Sequence, residues 1–536
     1  MDKRSTQAPA VQAPAAASGS IVDYLIASAA RRPTHVAVEE PPDGSITYAA
    51  LDQLSDRVRD RLRALGVQPG DRVGVSMRKS IDAYATLLGA LKAGAAYVPV
   101  DPAAPPWRSA FILHDCSVRV AVLDAAIVPA WRAEAARLGA LPEVLELTDV
   151  GGGRGLRAAL DRADALRPAP RGANVPVGGD ALAYILYTSG STGTPKGVML
   201  TQLCATSHVD WFSEVFAPRE DDRFSSHAPF HFDLSITDLY VPLKHGATVV
   251  LIDAERGKEP LGLAQLIAER RLTVWYSTPT ILSVLAEFGR MEQHDYSALR
   301  QVNFAGEVFP IKHLRAVKAL LPRARFANLY GPTETNVCTW HPIPDVIEAE
   351  RTTPYPIGTT CSHFRYRVVD EDGRDVPRGS EGELVMHGTG MLQGYYNNPA
   401  RTAAAFLVDG DGRRWYRTGD LVVEGADGVF AFSGRRDRMV KRRGYRIELG
   451  EIEAGLYRHE GVKEAAVVAL KDAEGGVRIK AFVAMADGQR GSVIAIRAFC
   501  AKTLPNYMIP DAFGFLEGLP KTSTDKVDYV RLAQAG

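Results

Sequence analysis

The sequence is short of several features that would settle its class at once. It holds only five cysteines in 536 residues, at 116, 204, 338, 361 and 500. None stands in a C-x-x-C pair, so neither a disulfide framework nor a zinc site is indicated, and a reducing cytoplasm is the expected compartment. There is no excess of either charge: 63 Lys and Arg stand against 63 Asp and Glu. That speaks against bulk nucleic-acid binding, which needs a basic surface. No apolar run reaches the length of a membrane span, so no membrane partner is expected. The opening stretch, M-D-K-R-S-T-Q-A-P-A-V-Q-A-P, places two basic residues ahead of alanines but has no Leu or Ile, and prolines interrupt it. Residues 1–19 read as a disordered tail rather than a signal peptide.

What remains is an ordinary globular composition, 46% hydrophobic and 24% charged. At this length more than one core is expected. D-R-V-G-V-S-M (71–77) reads as a strand, residues 80–94 as a helix and A-Y-V-P-V-D (96–101) as the next strand, which is a βαβ unit. The rhythm returns at 246–253, 263–271 and 272–277, predicting helix-wrapped, mostly parallel sheets. Residues 150–180, rich in Gly, Arg and Pro, read as a surface loop. After about 360, short strands and Gly-rich turns suggest a β-rich subdomain. Past the basic run 435–446, about a hundred residues remain for a small α+β domain. That run reads equally as a solvated face or as a functional boundary.

One stretch asks for a ligand: L-Y-T-S-G-S-T-G-T-P-K-G-V-M-L-T-Q, residues 186–202. Its hydroxyls, glycines and single lysine suit phosphate oxygens. It is not a Walker loop, because Pro195 stands where the second glycine belongs, Gly197 follows the lysine, and V-M-L begins a strand instead of a helix. A plain linker is the bland alternative, but linkers rarely lie between two apolar strands.

Six further stretches follow in order: N-L-Y-G-P-T-E-T, G-E-L-V-M-H-G-T-G, Y-R-T-G-D-L, G-R-R-D-R-M-V-K-R-R-G-Y-R-I-E-L-G-E-I-E, L-P-N-Y-M-I-P and K-T-S-T-D-K-V-D. Together they span most of residues 20–530 and resemble the adenylate-forming superfamily, most of all the amino-acid adenylation domains of nonribosomal peptide synthesis. The resemblance implies a core domain over 20–436 and a small mobile α+β domain over 437–536. It implies ATP and Mg²⁺ as cofactors, activation of a carboxylate as an acyl adenylate with release of pyrophosphate, and transfer of the acyl group to a thiol. A carboxylate is already a nucleophile, so such catalysis is mostly positioning and electrostatics.

Carried over position by position, Thr188, Ser189, Gly190, Ser191, Thr192, Gly193 and Lys196 would hold the β- and γ-phosphates. Gly306 and Glu307 would flank adenine, Asn328 would meet its edge, and Tyr330 would stack on it beside Gly331. Thr333 would touch the α-phosphate and Glu334 would bind Mg²⁺, a hard cation that wants oxygen. Asp420 would accept the ribose hydroxyls, supported by Arg435. Asp437 would be the hinge of the small domain. Lys526 would bridge the substrate carboxylate and the α-phosphate; Asp525 stands where the family has glycine. Singly, each has a plainer reading, Tyr330 as a core aromatic, Glu334 as a surface acid, Asp420 as a turn residue. The ordered set reverses that preference.

In H-F-D-L-S-I-T-D-L-Y (231–240), Asp233 matches the aspartate that pairs with an α-ammonium, against a plain helix-start role. The family's pocket positions fall on Leu234, Thr237, Tyr276, Asn303, Ala305, Leu329, Val337 and Cys338. This small, mainly apolar set is similar to the pockets of stand-alone prolyl-activating enzymes. Thr237 and Asn303 depart from that pattern by adding polar groups, as a hydroxylated or otherwise modified small amino acid would want. No L-G-G-x-S carrier site is present, so a separate carrier protein is the expected thiol donor. An acyl- or aryl-CoA ligase and a non-catalytic relative are the rival readings. Asp233 speaks against the first, and Lys196, Glu334, Asp420 and Lys526 against the second.

Overall fold

The computed structural model describes residues 19–139, 142–148, 154–190, 194–471, 476–486, 489–521 and 527–535. Residues 1–18 of the tail expected over 1–19, the loop residues Ser191, Thr192 and Gly193, and Lys526 lie outside the described residues.

Two large sheets form the body. One has nine strands. Its six inner strands, Val36–Glu40, Thr248–Leu251, Arg223–Ser226, Val274–Ser277, Gln301–Ala305 and Arg325–Tyr330, run parallel in that order, with antiparallel strands closing both ends. The other has seven strands, of which Leu182–Thr188, Ala96–Pro99, Arg72–Ser76, Val120–Asp124 and Glu143–Leu147 are parallel. The expected βαβ unit is therefore real: Arg72–Ser76 pairs in parallel with Ala96–Pro99 across the helix Ile81–Lys92. Every residue of that helix is buried, so both of its faces are covered. A helix with apolar residues on all sides is what such a site requires.

The phosphate-type loop is the turn of an antiparallel hairpin, Leu182–Thr188 against Lys196–Thr201. A five-stranded antiparallel sheet between Phe364 and Arg435 forms the β-rich part. The last packing unit combines the hairpin Met439–Arg442 and Tyr445–Glu448 with a three-stranded sheet and the helices Leu449–Leu456 and Val493–Thr503. Its own core gathers Ile447, Ile452, Val467, Ile479 and Cys500.

The expected surface loop over 150–180 is corrected in part. Arg154–Leu166 is a helix that buries Leu156, Ala159 and Leu160. Positions i, i+3 and i+4 share a helix face, and that periodicity outweighs the Gly- and Pro-rich flanks. Among the described residues, no helix is long and apolar enough to cross a membrane.

Candidate active site

Parallel sheets present ligand crevices beyond the carboxyl ends of their strands. Here Ser277, Ala305 and Tyr330 end three neighbouring strands of the nine-stranded sheet, with Tyr276 just before the first of these ends. A cavity of about 90 Å³ opens there, and Asp233, Leu234, Tyr276, Ala305, Gly306, Gly331 and Thr333 line it together with Thr188 and Ser189 of the hairpin turn. Thr188 Oγ1 is buried without a hydrogen-bond partner, as a ligand-facing hydroxyl would be. Gly306 has φ of +93°, and a side chain there would meet Gly444 and Thr278. Glycine fits because the backbone there turns left-handed.

The far wall of the cavity comes from the end of the chain. Met439, Lys441, Gly444, Tyr445, Arg446 and Tyr507 close it. Tyr445 and Tyr507 stack with centroids 3.9 Å apart, and Phe232 meets Tyr445 edge-on at 4.7 Å. Glu307 ties the hairpin turn down, accepting from Gly444 N at 3.0 Å and from Thr280 Oγ1 at 2.6 Å.

Glu334 is the hub of the charges. It is fully buried. Lys196 Nζ donates to Oε1 at 3.0 Å, Tyr395 OH donates to Oε1 at 2.8 Å, and Arg446 Nη1 reaches Oε2 at 2.8 Å and Oε1 at 3.2 Å. Burial pushes this carboxyl up, but Arg446 and then Lys196 outweigh it and hold Glu334 well below the usual carboxylate range. Burial and the neighbouring Arg446 lower Lys196 to about 8.

The hairpin turn is occupied by the chain itself. Ser189 Oγ donates to the Arg446 carbonyl at 2.8 Å and accepts from Glu448 N at 3.3 Å. Gly190 N donates to Glu451 Oε2 at 3.1 Å, and Arg108 holds the other oxygen of that carboxylate. A second cluster adjoins this one. Tyr330 OH and Arg435 both donate to Asp420, and Arg435 also grips Asp437 at 2.7 and 2.9 Å. Lys441 Nζ lies 5.4 Å from the centre of the Tyr330 ring. Asn328 Nδ2 donates to the Pro356 carbonyl at 2.9 Å. Leu329, Val337 and Cys338 are buried.

A model of the AMP-binding enzymes matches residues 25–396 of this sequence, and the model of the AMP-binding enzyme C-terminal domain matches residues 451–526. The chain belongs to the AMP-binding enzyme family. Among its relatives is the L-proline--[L-prolyl-carrier protein] ligase of Pseudomonas fluorescens, 37% identical over 96% of this chain and 98% of the relative. Another, of the same name, from Streptomyces coelicolor, is 38% identical over 91% of each. Among solved structures, the amide bond synthetase of Marinactinospora thermotolerans superposes with a TM-score of 0.82 at 25% identity, covering 96% of this chain and 99% of its own. A nonribosomal peptide synthesis protein containing adenylation and carrier domains gives a TM-score of 0.79 at 26% identity, over 97% of this chain and 84% of its own. This AMP-binding enzyme is thus an ATP-using ligase of the adenylate-forming fold.

For an AMP-binding enzyme, the observed state of Glu334 is specific. Two fixed cations and a phenol surround the carboxylate. As arranged, it does not fit a divalent ion, which would have to displace the Arg446 guanidinium.

The motif reading missed Lys441, Arg446, Glu451 and Tyr395. A signal existed for the first two. Lys441 pairs with Arg446 across the hairpin. Directly opposed residues share a sheet face, so the basic run 435–446 carries one inward-facing row.

Proposed function

We propose that this enzyme joins ATP to a small, largely apolar amino acid, with L-proline or a modified proline-like acid as lead. Aminoacyl-AMP forms, pyrophosphate leaves, and the acyl group passes to the phosphopantetheine thiol of a separate carrier protein. Asp233 is the observation that carries the reading. Burial raises its carboxyl above the usual range, against the lowering pull of the Thr333 hydroxyl and Lys441. A substrate ammonium beside it would supply the counter-charge that a buried carboxylate lacks. The full-length coverage of the two prolyl-carrier ligases supports the same substrate class.

The substrate's own carboxylate attacks the α-phosphorus of ATP and pyrophosphate leaves, so the enzyme's part is to position and to stabilise charge. In this reading the turn residues 188–193 and Lys196 bind the leaving phosphates, Thr333 the α-phosphate, Asn328, Tyr330 and Gly306 the adenine, and Asp420 with Arg435 the ribose. Lys526 bridges the two reacting groups. The boundary near Asp437 lets residues 437–536 swing between two arrangements. The one observed places Arg446, Glu448 and Glu451 on Ser189, Gly190 and Glu334. Those contacts use the donors that phosphates would need. We therefore assign this arrangement to the second half-reaction, after pyrophosphate has gone. Five unpaired, buried thiols suit the cytoplasm.

The test is ATP–pyrophosphate exchange over all amino acids, proline analogues and their des-amino counterparts, followed by mass analysis of carrier loading. A preference for amino acids is expected. A preference for a des-amino or aryl acid would return the reading to an acyl- or aryl-CoA ligase.

A further inference from the structure

Two buried polar residues sit on the elements that line the cavity. Ala305 lines the cavity, and Asn303 lies two residues earlier on the same strand. Alternate strand residues share a face, so Asn303 projects the same way one step further in. Its register partner Tyr276 also lines the cavity. On the other side, Thr237 follows Asp233 by four residues and Leu234 by three, with the helix Ser235–His245 beginning between them. That spacing puts Thr237 one turn deeper on the same face.

Both residues are polar and closed off from solvent, Asn303 at 0% and Thr237 at 1% exposure. Gln301 Nε2 donates to Asn303 Oδ1 at 2.8 Å, which leaves the Asn303 amide nitrogen as the end that must find an acceptor. It has none: Asn303 Nδ2 is buried without a hydrogen-bond partner. Thr237 Oγ1 is held at 2.7 Å by Nε2 of His208, a residue of the neighbouring helix Gln202–Phe216 and outside the pocket positions read from the sequence. His208 is 1% exposed, and burial lowers its pKa to about 3, so the ring stays neutral at working pH. A neutral imidazole offers one donor and one acceptor; with Nε2–H donating to Oγ1, the Thr237 hydroxyl hydrogen is left free to meet an acceptor on a ligand.

A buried donor left unpaired is costly, and a site built around one rejects ligands that cannot pair it. Proline carries no acceptor on its ring carbons. We propose that Asn303 and Thr237 select a small amino acid bearing an oxygen acceptor on its side chain or ring, a hydroxylated or keto proline-like acid ahead of proline itself, and that His208 is the positioning residue that aims Thr237. The inference rests on the amino-acid reading above and adds the chemical class of the side chain.

The experiment compares kcat/KM in ATP–pyrophosphate exchange for L-proline, the 3- and 4-hydroxy-L-prolines in both configurations, 4-oxo-L-proline, L-serine and L-threonine. At least one oxygenated acid should exceed proline about ten- to a hundredfold. Asn303→Leu, of similar volume, should erase that ratio. His208→Phe should raise KM for the oxygenated acid alone, with kcat unchanged, and His208→Gln should restore it. Thermal melting of each variant separates selectivity from misfolding; where a variant fails to fold, the wild-type ratio alone decides. Proline outperforming every oxygenated acid would overturn this inference and leave amino-acid activation standing. No exchange with any amino acid would overturn both.

Discussion

Replacing Arg446 by Met should separate the two half-reactions. The guanidinium donates to Glu334 at 2.8 and 3.2 Å, and Glu334 is wholly buried. Breaking a buried ion pair costs roughly 3–5 kcal/mol, because the remaining charge is stranded. Lys196 still holds Glu334 at 3.0 Å, so the lower end applies. A loss of about 3 kcal/mol is on the order of a hundredfold in the population of the docked arrangement. The backbone carbonyl that Ser189 meets survives the change. If docking serves only the transfer step, ATP–pyrophosphate exchange should stay within threefold of wild type. Single-turnover loading of a phosphopantetheinylated carrier, or of free pantetheine, should fall about a hundredfold. Arg446→Lys should fall between, since lysine keeps the charge but not the reach and planar shape of the guanidinium. Equal losses in exchange and loading would refute the assignment of this arrangement to transfer, and so would loading within threefold of wild type.

Three further outcomes are expected. Gly444→Ala places a methyl carbon 2.4 Å from Thr278 Cγ2 at a φ of +80°, so it should block docking and cut carrier loading more than tenfold with exchange preserved. The companion change Thr278→Ala should recover part of the loss, and an unaffected single variant would contradict the interface. Lys526→Ala should reduce exchange by about a hundredfold, the effect of losing one positioned cation at developing charge; exchange within tenfold of wild type would remove Lys526 from the reaction. Asp233→Asn keeps the shape and removes the charge, at a cost of roughly 2–5 kcal/mol to an ammonium-bearing substrate. Proline activity should then collapse relative to cyclopentanecarboxylate, and equal weakening of both acids would count against the ammonium pair.

Much of the fold is legible in the sequence because its signals are local. Parallel strands buried on both faces read as apolar runs, as in Val120–Asp124 and Thr248–Leu251, where every residue is buried. The helix Arg154–Leu166 reads as loop because three glycines before it and two prolines after it dominate the composition, while its packing face needs only Leu156, Ala159 and Leu160. The site is legible where a motif carries its own geometry. Thr188, Asp233, Gly306 and Thr333 come to one cavity from four separate stretches. What no motif states is which side chains meet across a distance. Glu334 and Arg446 are 112 residues apart, and Gly190 and Glu451 are 261 apart. Their meeting depends on how one packed unit rests on another, and neither neighbourhood in sequence encodes that.

Those long-range pairings also bear on how two arrangements of one chain can lie close in free energy. Opening the site for a nucleotide would ordinarily leave buried donors and charges unpaired, at about 1–3 kcal/mol for each group. Here the protein supplies its own substitutes. The Glu451 carboxylate accepts from the Gly190 amide, as a phosphate oxygen would, and the Arg446 guanidinium neutralises Glu334. Arg435 satisfies Asp420 and Asp437 together. Of the pairings that undocking would break, the Gly190 amide has a phosphate oxygen, of the same charge as the Glu451 carboxylate, ready to replace it. Re-pairing of that kind narrows the difference between the two proposed arrangements toward the few kcal/mol in which a ligand's differential affinity decides the population. On the proposed reading such a site needs no separate trigger: departure of pyrophosphate would free the Gly190 amide for Glu451.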